Sequence, residues 1–134
     1  MRTKSVRQMY LDFSLPSSST KVVAAYRKKY AAINELLLAN PAVLDVVHAD
    51  FCRWLSSSDS GRESRYTSEE ILRALVVMFV EEASYRDVVV RIENSDFLRS
   101  FVGFGFFKPM MDFSFVSKAF AALSEETWKA VNQA

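Results

Sequence analysis

From Ile71 to Val80 every position but Arg73 is apolar. A helix that is apolar on all sides must be covered by neighbours on several of them, so this segment is read as the centre of a core. Its start is marked by Thr67-Ser68-Glu69-Glu70, a capping box: the Thr67 hydroxyl accepts from the Glu70 amide, and the Glu70 carboxylate reaches back to the Thr67 amide. Upstream, Val22, Val23, Tyr26, Tyr30, Ile33 and Leu37 recur at spacings of mostly three and four, the stripe of an amphipathic helix running from Thr20, its expected N-cap, to about Ala39. Asn40-Pro41 ends that helix and opens another, since proline suits the first helical position. Val43, Val47, Phe51 and Trp54 then give the second helix its buried face, and the two are expected to form a hairpin.

Downstream of the central helix, Ser84 caps a segment in which Tyr85, Val88, Val89 and Ile92 share one face while Arg86, Asp87, Arg91 and Glu93 point elsewhere. Phe97, Leu98, Phe101 and Val102 make a short helix after Ser95, closed by Gly103 and Gly105, with Phe104, Phe106 and Phe107 packing on the core. Asp112 or Ser114 caps a helix carrying Phe115, Val116, Ala119, Phe120 and Leu123, and a last helix is expected from Ser124, where Glu125 and Glu126 suit the helix dipole. No segment alternates as a strand does, and no internal repeat is present. The expectation is therefore an all-α fold: a helical hairpin followed by a helix-turn-helix-like bundle of short helices. Its parts are an arm at 1–19, the hairpin at 20–55, a Ser-rich linker at 56–66 and the helical core at 67–134.

Half of the 134 residues are hydrophobic, enough for one globular core with a helical annex. The longest apolar run is about half of the roughly 20 residues that cross a bilayer, and glutamates flank it, so no membrane role is expected. A single cysteine, Cys52, cannot form an internal disulfide, and no signal-peptide run precedes the core, which fits the cytoplasm. Charge changes the picture more. Residues 1–30 carry seven basic residues against only Asp12, while the remainder holds ten basic and fifteen acidic residues, for a net charge of +1 overall. A basic arm beside a helical domain is a usual footprint for phosphate binding, through counterion release; the other reading of Arg27, Lys28 and Lys29 is a solvated helix face.

Few residues suggest catalysis. His48 and Cys52 stand four apart on one helical face, but two donors do not complete a tetrahedral zinc site and the chain has no other His or Cys to add, so no metal or other cofactor is expected. Cys52 is read as a buried thiol, and Asp50 lacks a partner nucleophile to serve as its base. Gly103-Phe104-Gly105 lacks the third glycine and preceding strand of a dinucleotide loop. No small-molecule substrate is implied.

Three motifs in order carry a resemblance: Ser84-Tyr85-Arg86-Asp87-Val88, then Asn94-Ser95-Asp96-Phe97-Leu98-Arg99-Ser100-Phe101-Val102-Gly103, then Met111-Asp112-Phe113-Ser114-Phe115-Val116-Ser117-Lys118-Ala119-Phe120. Together they resemble the N-terminal domain of bacterial insertion-sequence transposases of the DDE type, in the ISNCY-like group, and Ala31 to Leu55 is similar to the upstream part of one branch. The resemblance implies binding to double-stranded DNA at the element's terminal inverted repeats. In full-length relatives an RNase H-like domain follows, in which three carboxylates hold two divalent metals. With eleven residues after Leu123, that domain is expected to be absent and this chain to be non-catalytic. The helix from Ser114 usually carries more basic residues in the family than the single Lys118 here, which shifts the electrostatic work to the N-terminal arm. Phosphate contacts are accordingly expected from Arg2, Lys4, Arg7, Arg27, Lys28 and Lys29. Groove contacts are expected from Ser114, Ser117 and Lys118, with Arg86 and Arg91 in reserve; a surface pair with Asp87 is the competing role for Arg91, and N-capping for Ser114. A helical interaction or oligomerisation domain, joining a second copy of the chain, stays open as the alternative.

Overall fold

The structure is a computed structural model that describes Lys4 and residues 21–56, 66–104 and 109–123. The described residues form six helices and no strand: α1 (Lys21–Ala39), α2 (Pro41–Ser56), α3 (Ser68–Val80), α4 (Tyr85–Asn94), α5 (Asp96–Val102) and α6 (Phe113–Ala122). The fold is all-α. Thr20, most of the Ser-rich linker, Gly105 to Phe107, the helix from Ser124 and the Trp54 side chain lie outside the described residues.

The helix boundaries follow from local chemistry. Asn40 closes α1 by donating from Nδ2 to the Leu36 carbonyl at 2.8 Å, Pro41 begins α2, and the chain bends by 80° between the two, so the hairpin is an open one. Thr67 and Glu70 make the expected reciprocal capping box at the start of α3, with bonds of 3.1 and 2.8 Å. Ser84 and Ser95 cap α4 and α5 by accepting from Asp87 N and Leu98 N. For α6 the cap is Asp112, whose side chain accepts from Ser114 N at 3.3 Å. Ser114 sits inside the helix and is not its cap.

Between α3 and α4 the chain turns through a Schellman motif. Ala83 N donates to Met78 O at 3.0 Å and Glu82 N to Phe79 O at 3.2 Å, which places Glu82 at the position usually held by glycine, with φ 52°. A side chain with a Cβ is strained there by about 1–2 kcal/mol. After α5, Gly103 takes the same left-handed region at φ 100°, and there the residue suits the geometry.

One hydrophobic core collects Tyr30 from α1, Val43, Leu44, Val47 and Phe51 from α2, and residues from every later helix. As expected, α3 is its centre: all residues from Ser68 to Leu75 are buried. One sequence reading changes at this point. Arg73 does not interrupt the buried surface, being 0% exposed, and the flanking Glu69 and Glu70 are buried with it. Arg73 lies inside because partners from three helices meet it there. It donates to Glu69 Oε2 at 3.0 Å, Asn34 Oδ1 at 2.6 Å and the Phe101 carbonyl at 3.0 Å, and its guanidinium stacks over the Phe101 ring at 4.9 Å. The network ties α1, α3 and α5 together, since a buried charge is tolerated only when paired and hydrogen-bonded. At the other end of the chain's apolar pattern, Val22 and Val23 are 78% and 37% exposed, so the first turn of the α1 stripe lies on the surface. No single described helix is long and apolar enough to cross a membrane.

Candidate nucleic-acid interface

The expected phosphate-binding residues that the structure describes lie mainly on α1. Tyr26, Tyr30, Ile33 and Leu37 face the core, so positions 21, 28 and 29 turn outward, and Lys21, Lys28 and Lys29 are exposed. Lys21 stands seven residues, two helical turns, before Lys28 and so shares its face; it completes a set of cations that the motif-based reading did not include. Arg27 is held differently. It is half-buried, with its guanidinium 5.7 Å from the centre of the Phe97 ring, a contact that orients the charge while leaving it cationic. Lys4 is exposed, pairs with Asp45 of α2, and accepts from Glu69 N through its carbonyl at 3.1 Å. It therefore lies against the start of α3. Arg2 and Arg7 lie outside the described residues.

Behind the α1 cations a polar cluster fixes the helix to the rest of the fold. Glu81, at the C-cap of α3, accepts from the Tyr30 hydroxyl at 2.6 Å and from Arg91 Nη1 at 3.2 Å. A carboxylate at a helix C-terminus opposes the macrodipole, and these donors offset that penalty. Burial and the neighbouring Glu81 push the Tyr26 hydroxyl up to about 12, and the same causes push Tyr30 further. Both phenols are thus held neutral as donors. Arg91 accordingly pairs with Glu81 and not with Asp87, a partner from the preceding turn that replaces the one at the i, i+4 spacing. Tyr26, Tyr30, Phe97 and Phe101 pack as tilted and edge-on rings with centroids 5.0–5.9 Å apart, which locks α1 against α5.

The expected groove residues form a second set on α4 and α6. Ser114, Ser117 and Lys118 fall on the outer side of α6, with Ser114 and Lys118 exposed and Ser117 partly so. The Ser114 hydroxyl is engaged by the Asp112 carboxylate, and that carboxylate occupies the helix N-terminus where a phosphate would otherwise be attracted. Arg86 stands beside this end, its guanidinium 4.3 Å from the centre of the Phe113 ring. The second set thus offers Lys118 and Arg86 beside the exposed acids Asp112 and Asp87, with Arg91 held by Glu81, whereas the α1 set of Lys21, Arg27, Lys28 and Lys29 is cationic throughout. Arg73 and Arg99 are withdrawn into the interior; for Arg73 the local sequence does not mark this, because Asn34 and Phe101 reach it from distant helices.

The family model described as Transposase domain (DUF772) matches residues 24–122. The chain belongs to this transposase-domain family. The match runs from α1 through α6 and includes the three motifs that carry the resemblance. Comparisons with curated proteins and with solved structures return no match. Membership ties the chain to transposition, and the described residues form no sheet of the RNase H-like kind.

Proposed function

We propose that this chain is the DNA-binding N-terminal region of a transposase, recognising the terminal inverted repeats of its element and cutting nothing itself. The observation that carries the reading is the placement, within a transposase domain, of an outward face of α1 bearing Lys21, Lys28 and Lys29, with Arg27 oriented beside it on Phe97. Flexible lysines on a rigid helix give sequence-independent grip on a phosphate backbone, each neutralised phosphate releasing counterions. The α6 face, with Ser114, Ser117 and Lys118 and with Arg86 at its edge, is the complementary candidate for base contacts in a groove. In this reading α3, the turn Glu81–Ser84 and α4 act as a helix-turn-helix-like frame rather than as the reading head.

A second reading, self-association through helical faces, is favoured by the apolar side chains left in solvent: Val22 at 78%, Val90 at 59%, Leu36 at 51% and Phe79 at 50% exposed. The two readings are compatible, since transposon ends come in pairs and a dimer would hold two of them. Fluorescence anisotropy with duplexes bearing the element's ends, at low salt, tests the first, and the absence of binding to any duplex overturns it. Light scattering tests the second, and a monomer at all concentrations overturns that. Incubation of supercoiled plasmid carrying the ends with magnesium should leave it uncut.

A further inference from the structure

The apolar stripe of α1 extends past the part of it that the core covers. Val22 and Val23 stand four and three residues before Tyr26, on the same side of the helix, yet they are 78% and 37% exposed. Between them and the start of α5 lies an open cavity of about 400 Å³, lined by Val22, Val23, Tyr26, Arg27, Ser95 and Phe97. That volume falls within the roughly 300–1,000 Å³ of pockets that take small organic groups. The walls are apolar and aromatic, with the Tyr26 and Phe97 rings inclined at 48° and their centroids 5.9 Å apart. Polar groups are few. The Arg27 guanidinium stands 5.7 Å from the centre of the Phe97 ring. The Ser95 hydroxyl accepts from Leu98 N at 3.2 Å and keeps a proton to donate. Lys29 follows Val22 by seven residues, two helical turns, and so shares its side of α1.

Charge selects the occupant. Residues 1–30 carry seven basic residues against one acid, and the helix that walls the cavity bears Lys21, Arg27, Lys28 and Lys29. A second copy packed here through the same face would set these cations against their own equivalents, a like-charge arrangement that opposes association. A nucleic-acid strand brings phosphates to them instead. Paired bases in a duplex are stacked and offer only their edges to the grooves, so the group able to enter is an unpaired base, aromatic on its faces and polar at its rim. We propose that this cavity binds one unpaired base of a DNA strand, stacked on the Phe97 and Tyr26 rings, with the adjoining phosphates on Arg27 and Lys29. Stacking on aromatic side chains tolerates any base, so the cavity recognises a strand that is frayed or tailed and not a sequence. The proposal rests on the reading of α1 as a DNA-binding face and adds to it a preference for unpaired DNA.

Anisotropy titration of the full chain with three probes tests it: a blunt duplex, the same duplex with a short unpaired tail, and that tailed duplex with abasic sites in the tail. The abasic tail keeps the phosphates and removes the bases, so it separates stacking from charge. The tailed duplex should bind about fivefold or more tighter than its abasic counterpart, the low end of the range for a base on an aromatic ring. Phe97→Leu, which keeps an apolar side chain and loses the ring, should bring that ratio toward one. The double variant Val22→Asn, Val23→Asn should do the same while leaving blunt-duplex affinity as it was, and it decides alone should Phe97→Leu fail to fold. A parent that binds the blunt duplex in a salt-dependent way but treats both tails alike overturns the proposal and leaves the DNA-binding reading standing. Failure to bind any of the three overturns both. An undiminished ratio in the valine double variant overturns the proposal. So does equal treatment of the tails together with a dimer in light scattering that the valine changes dissolve, which assigns the cavity to a second copy.

Discussion

Replacing Arg73 by methionine keeps the length of the side chain and removes its charge from a site that is 0% exposed. The variant loses donors to Glu69, Asn34 and the Phe101 carbonyl and leaves the Glu69 carboxylate, 3% exposed, buried beside an apolar chain. Breaking a buried pair from one side costs about 3–5 kcal/mol, a large share of the roughly 5–15 kcal/mol available to a domain. The melting temperature should fall by about 11–18 °C, scaling entropy to a chain of this length. The double variant Arg73→Met, Glu69→Gln removes the orphaned charge and should regain about half of the loss, with Asn34 still short of its donor. Urea and thermal unfolding of the parent, both single variants and the double give the coupling directly. A loss under about 1 kcal/mol for Arg73→Met, or a double variant no better than that single, would refute the view of Arg73 as the charged hub of the core.

Other consequences follow from single features. Glu82→Gly relieves the left-handed residue of the Schellman turn and should stabilise by about 0.5–1 kcal/mol after the entropy that glycine adds to the unfolded chain, read as a higher urea midpoint. The phenol of Tyr26 is raised from 10.0 to about 12, so the folded state holds that proton more tightly than the unfolded one. Its stabilisation is complete below pH 10 and is lost as pH rises toward 12, and Tyr30 adds in the same direction. Alkaline unfolding curves should show the decline, and the double change of Tyr26 and Tyr30 to phenylalanine should flatten it. Gly103→Ala, at φ 100°, should cost about 1–2 kcal/mol, measured by the same unfolding experiment.

Local signals were readable and distant partnerships were not. The Thr67–Glu70 capping box, the Asn40-Pro41 break, the Ser84 cap of α4 and most of the buried stripes of α1, α2 and α4 rest on local signals and stand in the structure, whereas Val22 and Val23 of the α1 stripe lie exposed. The core position of Arg73 depends on Asn34 and Phe101, separated from it by 39 and 28 residues, and periodicity carries no such information. Arg91 shows the same limit: Asp87 was the partner at helical spacing, but the bend after α3 brings Glu81 to it first. At α6 two cap residues were open, and Asp112 takes the role because it stands in extended backbone just before the helix, where its carboxylate meets the Ser114 amide, while Ser114 is already helical. For the interface, sequence order marked Arg27, Lys28 and Lys29, whereas the helical face adds Lys21 and the Phe97 ring sets Arg27 apart.

The central claim is that the α1 cations grip DNA and that α6 contributes less to that grip. Anisotropy titration of an inverted-repeat duplex across a range of salt, with the parent, the Lys28→Ala, Lys29→Ala double variant and Lys118→Ala, tests it most directly. The account predicts affinity that falls steeply with salt, and for the double variant weaker binding and a slope shallower by about 2, one for each phosphate no longer neutralised. Lys118→Ala should weaken binding less. Salt-independent affinity, or a larger loss for Lys118→Ala than for the α1 pair, would contradict it.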